Sequence, residues 1–347
     1  MKKRKIKVMV LMGGPSAEHE VSLHTGEQIL MSLDKGHYEA IPIVITKKGD
    51  WILPSTERGR FGSKARKIVS QAHALTALSA HADMVFIALH GQFGEDGIIQ
   101  SLLDGFKIPY TGSGMLASGL GMDKVRSSRI FRDAGMNVPA FYAFSAKEAA
   151  RMDKKQVTEI VRELGMPLVV KPIDQGSSIG VSIVPTAQDM LAAITAARKY
   201  SRYIMIQKFI KGREITCGVI DATEKGKRTI ISLPPIEIVP HYGAFYDYKS
   251  KYKNAGSDHL IPPPDVSPEI IKTIQDTARN AHAIIGCSGM SRSDFILDEN
   301  NKLHILEINT IPGMTSTSLL PQAAAHIGIT FPKLLDYIIL SAIKKEK

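Results

Sequence analysis

Alternating apolar and polar positions mark residues 294–297 (Asp-Phe-Ile-Leu) and 303–307 (Leu-His-Ile-Leu-Glu) as two strands. Asn300-Asn301 between them suits a two-residue turn that needs positive φ. The resulting β-hairpin is predicted to set Asp294 opposite Glu307, Arg292 opposite Asn309 and Ile296 opposite Ile305. Phe295, Leu297, Leu306 and Ile308 then face a core. At the other end of the chain, an apolar run at residues 6–11 ends on Gly13-Gly14 before helical spacing over 21–33, which is how a βα unit begins. Strands at 41–45 and 84–89 follow. The Gly-rich HGQFGEDG (90–97) then leads into an amphipathic stretch with Ile98, Ile99, Leu102 and Leu103, so the first domain reads as α/β with a parallel sheet.

Residues 116–134 read as a helix around Met122-Asp123-Lys124, ended by Asn137-Val138-Pro139 before a strand at 141–144. A helix at 148–164, strands at 168–171 and 181–184 around a Gly/Ser loop, a helix at 187–200 and strands at 203–208 and 214–220 form an α+β unit. Strands at 229–233 and 236–239, an irregular Gly/Tyr/Lys-rich loop, a helix at 268–285, the hairpin, and closing helices at 319–327 and 334–343 complete the pattern.

A chain of 347 residues can bury a sizeable core and divide into two or three domains. Its 44 basic and 34 acidic residues give a net charge of +10, part of it at the ends in Lys2-Lys3-Arg4-Lys5 with Lys7 and in Lys344-Lys345-Glu346-Lys347. That balance attracts anionic ligands such as nucleotides, while no aromatic-rich basic stripe argues for nucleic acid as a partner. Two cysteines, Cys217 and Cys287, provide neither zinc spacing nor a disulfide framework and fit a reducing compartment. The apolar run after the basic N-terminus is too short for a signal peptide and no segment approaches a membrane span, so a cytoplasmic protein is expected.

The chemistry concentrates in six places. Facing carboxylates on the hairpin repel each other unless a hard cation bound through oxygen sits between them, with an ion pair to Arg292 as the ordinary alternative. KPIDQGSSIG (171–180) puts Lys171 at a strand end before a turn whose backbone N–H groups can cradle phosphate, although such a loop alone is as often a plain hairpin. Lys124 is a second phosphate candidate, but a lone helix lysine usually faces solvent. Residues 206–210 make a hinge whose backbone could pair with an adenine edge, with Glu214 able to accept ribose hydroxyls. YDYKSKY (246–252) reads as a lid carrying Lys251 or, equally, as a surface loop with amphipathic tyrosines, and INTIPGMTSTSLLP (308–321) offers Gly313 and a hydroxyl-rich turn to a carboxylate or oxyanion, with helix capping by Ser316 or Thr317 the ordinary explanation.

Taken in order, GGPSAEHEVS, HGQFGEDG, MDK, KPIDQGSSIG, GREIT, YDYKSKY, SRSDF and LEINTIPGMTSTSLLP resemble the D-alanine:D-alanine ligase family of ATP-grasp enzymes over nearly the whole chain. The resemblance implies a three-domain ATP-grasp architecture, expected here as 1–122, 123–220 and 221–347. It also implies ATP-dependent ligation of two D-alanines through D-alanyl phosphate in peptidoglycan precursor synthesis. The alternatives are another second substrate such as D-serine, or a non-catalytic nucleotide-binding relative.

Carried over by position, Lys124, Lys171 and Lys251 would contact ATP phosphates, and Gln207, Lys208, Ile210 and Glu214 would hold adenosine. Asp294, Glu307 and Asn309 would ligate two Mg2+ ions, with Mn2+ as a substitute. Glu18 with His90 would receive the first D-alanine, and Ser318 with Leu319 the carboxylate of the second. Ser177 and Tyr252 would bridge to Glu18, and Arg292 with the Gly313 N–H would stabilise the tetrahedral species. Gln207 stands where glutamate is more frequent and Ser293 where an apolar residue is usual, neither removing a catalytic group. Ser128 stands where lysine is common. Tyr252 favours D-alanine over D-lactate as second substrate. The resemblance also allows a homodimer.

Overall fold

Both faces of the strand Ile6–Gly13 (β1) are covered from Val8 on, which is why the segment is apolar and buried from that residue. In the computed structural model, which describes residues 4–57, 60–224, 227–241 and 256–343, β1 is flanked by parallel neighbours Tyr38–Ile45 (β2) and Met84–Ile87 (β5). Trp51–Glu57 (β3) and Arg60–Val69 (β4) extend the sheet antiparallel to give the order β4-β3-β2-β1-β5. The first sheet is therefore mixed, where a parallel one was expected. The missed β3–β4 hairpin carries Arg60, Lys64, Arg66 and Lys67, and β4 is an edge strand, where charge takes the place of apolar alternation.

A second, antiparallel sheet contains Phe141–Ser145 (β6), Leu168–Pro172 (β7), Ser182–Val184 (β8) and Tyr203–Lys208 (β9) in the order β6-β9-β7-β8. The single helix expected at 148–164 is two, Ala146–Ala150 and Lys154–Leu164, because Ser145 with Glu148 and Asp153 with Gln156 each close a capping box. The helix expected at 116–134 is likewise divided into Met115–Met122 and Lys124–Asp133. Asp123 Oδ1 accepts the N–H groups of Val125 at 3.1 Å and Arg126 at 2.9 Å and so starts the second helix afresh.

The third sheet is antiparallel: Gly212–Glu224 (β10), Lys227–Ser232 (β11), Ile236–Pro240 (β12), Ser257–Leu260 (β13), Met290–Asp298 (β14) and Leu303–Asn309 (β15). Its order is β13-β12-β10-β14-β15, with β11 also on β10. The domain boundary expected at 220 falls inside β10, all of whose strand partners are C-terminal. One face packs under helices Lys124–Asp133 and Pro268–Ile285 around Phe131, Ile274, Ala278, Phe295 and Ile305. Helices Leu319–His326 and Phe331–Ile343 share a continuous core with the first sheet. Among the described residues no single helix is long and apolar enough to cross a membrane. That pair reaches the composition only when joined, and it is bent by 107°.

In the β14–β15 hairpin, Asp294 lies opposite Glu307 and Arg292 opposite Asn309, as predicted, but Phe295 lies opposite Ile305 and Ile296 opposite His304. The turn has three residues, 299–301, with Asn301 at φ 58°, and Asp298 Oδ1 accepts the N–H groups of Asn300 and Lys302, each at 2.9 Å. The register shifts once beyond the Asp294/Glu307 pair, leaving Leu306 as the extra residue of a bulge. The two one-residue departures cancel at Asp294/Glu307. Between them the faces are exchanged, so Ile305 enters the core and Leu306 stays half-buried.

Candidate active site

Glu18 stands at the start of helix His19–Ser32. Its N–H donates to Ser16 Oγ at 3.1 Å and the Ser16 hydroxyl donates to the His90 carbonyl at 2.6 Å, which joins the loops after β1 and β5. Ser177 Oγ donates to Glu18 Oε1 at 2.5 Å from the Gly/Ser loop of the second sheet. A Cβ at Gly91 or Gly176 would come within 2.9 Å of Glu18 Oε2, so glycine lets both loops approach this carboxylate without displacing it. Ser177 and Ser178 have φ 50° and 59°, uncommon for residues with a Cβ and a mark of a loop held in a required shape.

His90 is buried with Nε2 2.9 Å from Thr25 Oγ1 and Nδ1 3.5 Å from Glu95 Oε1, and Glu95 Oε1 also accepts the Gly91 N–H at 2.9 Å. Burial raises the Glu95 pKa, and the charge of Glu18 adds to this against the stabilising hydrogen bond from His90. For His90 burial works downward, but the hydrogen bond and charge of Glu95, with Glu18 behind them, prevail and its pKa is raised. This pair keeps a proton to higher pH than free imidazole would.

Lys171, at the end of β7, is buried and its pKa falls to about 8, chiefly through desolvation, with Glu307 opposing and Lys124 reinforcing the fall. Lys124 is buried too, against the expectation for a lone helix lysine. Its Nζ donates to the Gln175 carbonyl at 2.8 Å and lies 3.2 Å from Glu307 Oε2, linking the Gly/Ser loop to the hairpin.

Gln207 on β9 is buried, and its Nε2 has no hydrogen-bond partner among the described residues. A buried amide donor in that condition costs about 1–3 kcal/mol and marks a place where a ligand acceptor would fit. Lys208 is exposed and Ile210 half-buried at the end of the same strand, with the N–H groups of Lys208 and Phe209 taken by the carbonyls of Ala140 and Pro167. Glu214 on β10 lies opposite Ile296.

On the hairpin, Arg292 Nε and a terminal guanidinium nitrogen donate to the two oxygens of Asp294, each at 2.8 Å, and Thr216 Oγ1 donates to Asp294 Oδ1 at 2.7 Å. Asn309 Oδ1 accepts the Ile311 N–H at 2.8 Å. Each of the facing carboxylates is thus held by a cationic side chain, Asp294 by Arg292 and Glu307 by Lys124. Among the described residues no three His, Cys, Asp or Glu side chains cluster for a metal. Two carboxylates and an amide remain a hard-oxygen set that fits Mg2+ when substrate phosphates supply further oxygens.

Ser318 occupies the position before helix Leu319–His326, where capping by Ser316 or Thr317 was the ordinary expectation, and its side chain does not cap the helix. Pro321, the third helical residue, has no N–H to offer, and the Ser318 hydroxyl turns back to Thr315, 3.1 Å from its N and 2.8 Å from its Oγ1. The N–H groups of Leu319 and Leu320 are left uncapped by Ser318. A Cβ at Gly313 would lie 2.9 Å from Ser318 Oγ, so glycine permits this close approach.

Lys251 and Tyr252 lie outside the described residues. Four groups escaped the sequence reading: Thr25, Glu95, Gln175 and Thr216. Glu95 lies inside the quoted HGQFGEDG and Thr216 two residues after Glu214 on the same strand face. Gln175 acts through its backbone, which no side-chain pattern signals.

Residues 7–113 match the family model described as D-ala D-ala ligase N-terminus, and residues 130–340 the one described as D-ala D-ala ligase C-terminus. The chain is 42% identical to a D-alanine--D-alanine ligase of Pelotomaculum thermopropionicum over 98% of its own length and 97% of the relative's. Its structure is similar to the VanG D-Ala:D-Ser ligase from Enterococcus faecalis (TM-score 0.82, 31% identity, 98% of this chain and 100% of that one). It is also similar to the D-alanine--D-alanine ligase from Bacillus anthracis complexed with ATP (TM-score 0.76, 30% identity, 98% of each).

Proposed function

Because this chain belongs to the D-alanine:D-alanine ligase family and has the ATP-grasp fold, we propose that it joins two D-alanines into D-alanyl-D-alanine at the expense of one ATP, for peptidoglycan precursor synthesis. The observation that supports the reading is that one Gly/Ser loop meets Glu18 through Ser177 and, through the Gln175 carbonyl, the Lys124 that pairs with Glu307, as an ammonium site near a phosphate site requires.

In this reading the first D-alanine presents its ammonium to Glu18, with His90 nearby. Gln207 gives its orphaned amide N–H to adenine beside Lys208 and Ile210, Glu214 accepts ribose hydroxyls, and Lys124 and Lys171 contact the phosphates. Lys171, with its pKa near 8, is charged at neutral pH. The substrate carboxylate attacks the γ-phosphorus and the bond to the ADP oxygen breaks, leaving D-alanyl phosphate. The second D-alanine, its carboxylate on Ser318 and the Leu319 N–H, attacks the acyl carbon with its neutral amine. That amine loses a proton and inorganic phosphate departs. Arg292 and the Gly313 N–H are the donors for the developing oxyanion in this reading.

Asp294, Glu307 and Asn309 are the residues that would hold two Mg2+ ions. When bound, these ions screen the repulsion between carboxylate and polyphosphate.

Incubating the protein with ATP, magnesium and D-alanine should yield dipeptide and ADP one for one, with L-alanine, D-serine and D-lactate as parallel acceptors. ADP formation without dipeptide, or a clear preference for D-serine, would overturn this choice of substrates.

A further inference from the structure

Gln322, one turn into helix Leu319–His326, ties the acceptor turn to the edge of the third sheet. Its Nε2 donates to the Thr317 carbonyl at 2.5 Å, and its Oε1 lies 3.2 Å from His259 Nδ1 on β13. His259 Nε2 is in turn 3.3 Å from Ser257 Oγ. With a neutral imidazole, one arrangement of protons satisfies all three contacts. The Thr317 carbonyl only accepts, so the amide nitrogen must face it. The amide oxygen then needs a donor, which places the proton of His259 on Nδ1, and the Ser257 hydroxyl donates to Nε2. The opposite amide orientation would set two carbonyl oxygens against each other.

Among the described residues, the other hydrogen bonds of this turn run within it or into its own helix. Ser318 N–H donates to the Thr315 carbonyl at 3.0 Å, Thr315 bonds Ser318 Oγ, and Gln322 N–H donates to the Ser318 carbonyl at 3.0 Å. Such bonds give the turn its shape but do not locate it. Burial of Met314 and Leu320 anchors the turn from the core side, and Gln322 adds the polar tie that fixes its orientation, because His259 belongs to a strand hydrogen-bonded to β12 and through it to β10. We propose that Gln322, held by His259, is a positioning residue for the second substrate: it orients the Thr317–Ser318 peptide so that Ser318 and Leu319 meet the acceptor carboxylate. This rests on the ligase reading above.

The test separates the two half-reactions. Hydroxylamine intercepts D-alanyl phosphate as the hydroxamate and has no carboxylate, so hydroxamate formation reports the first half alone, while dipeptide formation at subsaturating D-alanine needs the acceptor turn. Gln322→Leu should lower dipeptide formation about tenfold, as loss of a net hydrogen bond or two implies, and leave hydroxamate formation within twofold of wild type. His259→Leu should reproduce the effect from the other end, even if Gln322→Leu does not fold. His259→Asn, whose amide nitrogen replaces Nδ1–H, should restore it, and the double Leu variant should be no worse than either single one. Unchanged dipeptide formation in both Leu variants, or an equal fall in dipeptide and hydroxamate, would overturn the proposal and leave the ligase reading standing. A wild-type protein that forms neither product would remove both.

Discussion

Ser177 and Glu18 are 159 residues apart in the chain, yet the serine hydroxyl donates to the glutamate carboxylate at 2.5 Å. The end of the site proposed for the first substrate is therefore assembled by two sheets at once, through a charge-assisted bond. Ser177→Ala keeps the backbone constraint and removes only the donor. It should raise the D-alanine concentration giving half-maximal hydroxamate formation by about tenfold, in line with 1.5–3 kcal/mol for a hydrogen bond to a charged group. Gly176→Ala, whose Cβ would crowd Glu18 Oε2 at 2.9 Å, should be worse, and titrating both variants with D-alanine ranks them.

Arg292 has two attachments to account for. Its fork orients both oxygens of Asp294, and Arg292→Met should lower kcat by about two orders of magnitude, as loss of an oxyanion donor does, and raise the magnesium requirement because Asp294 loses the partner that fixes its orientation. Arg292→Lys keeps the charge but not the bidentate geometry and should recover little of either. Steady-state rates across a magnesium series measure both effects, and near-normal turnover in Arg292→Met would take the residue out of the mechanism.

Lys124 holds Glu307 at 3.2 Å where the nucleotide and its cations are expected. Glu307→Gln removes a ligand charge and leaves Lys124 without its carboxylate. The magnesium concentration for half-maximal ADP formation should rise roughly tenfold or more, while unfolding temperature changes little. An unchanged magnesium curve would argue against this face of the hairpin as the metal site.

Burial depresses Lys171 to about 8, so in the free enzyme the lysine is charged below that pH and neutral above it. The value of kcat/KM for ATP, which reports the free enzyme, should therefore decline as pH rises through about 8. Lys171→Met should be impaired throughout and lack this limb. A wild-type profile flat to pH 9.5 would contradict the assignment of Lys171 to the phosphates.

The legible parts of the molecule are those where one face or one spacing sets the structure. Asp294 opposite Glu307 was readable from alternation. The three-residue turn and the bulge at Leu306 were not, because each displaces the pattern by one residue and together they restore it. The burial of Lys124 could not be read from a helix whose neighbours Arg126, Arg129 and Arg132 all argue for solvent; it comes from the Gln175 carbonyl, 51 residues away. The β3–β4 hairpin escaped because its sequence is written for an edge, and the breaks at Asp123 and Asp153 because helix spacing continues across them. The contact of Gln322 with His259 spans 63 residues and carries no periodic signal at all.

The bulge at Leu306 also separates the hairpin mechanically into a tip and a working end. Residues 299–301 hang on a stretch that pairs one residue out of phase with Asp294 and Glu307. A longer turn there, even one carrying a fluorescent label or a short affinity tag, alters the tip without dragging the catalytic strands out of register, so this loop is the natural place to attach a reporter to a working enzyme.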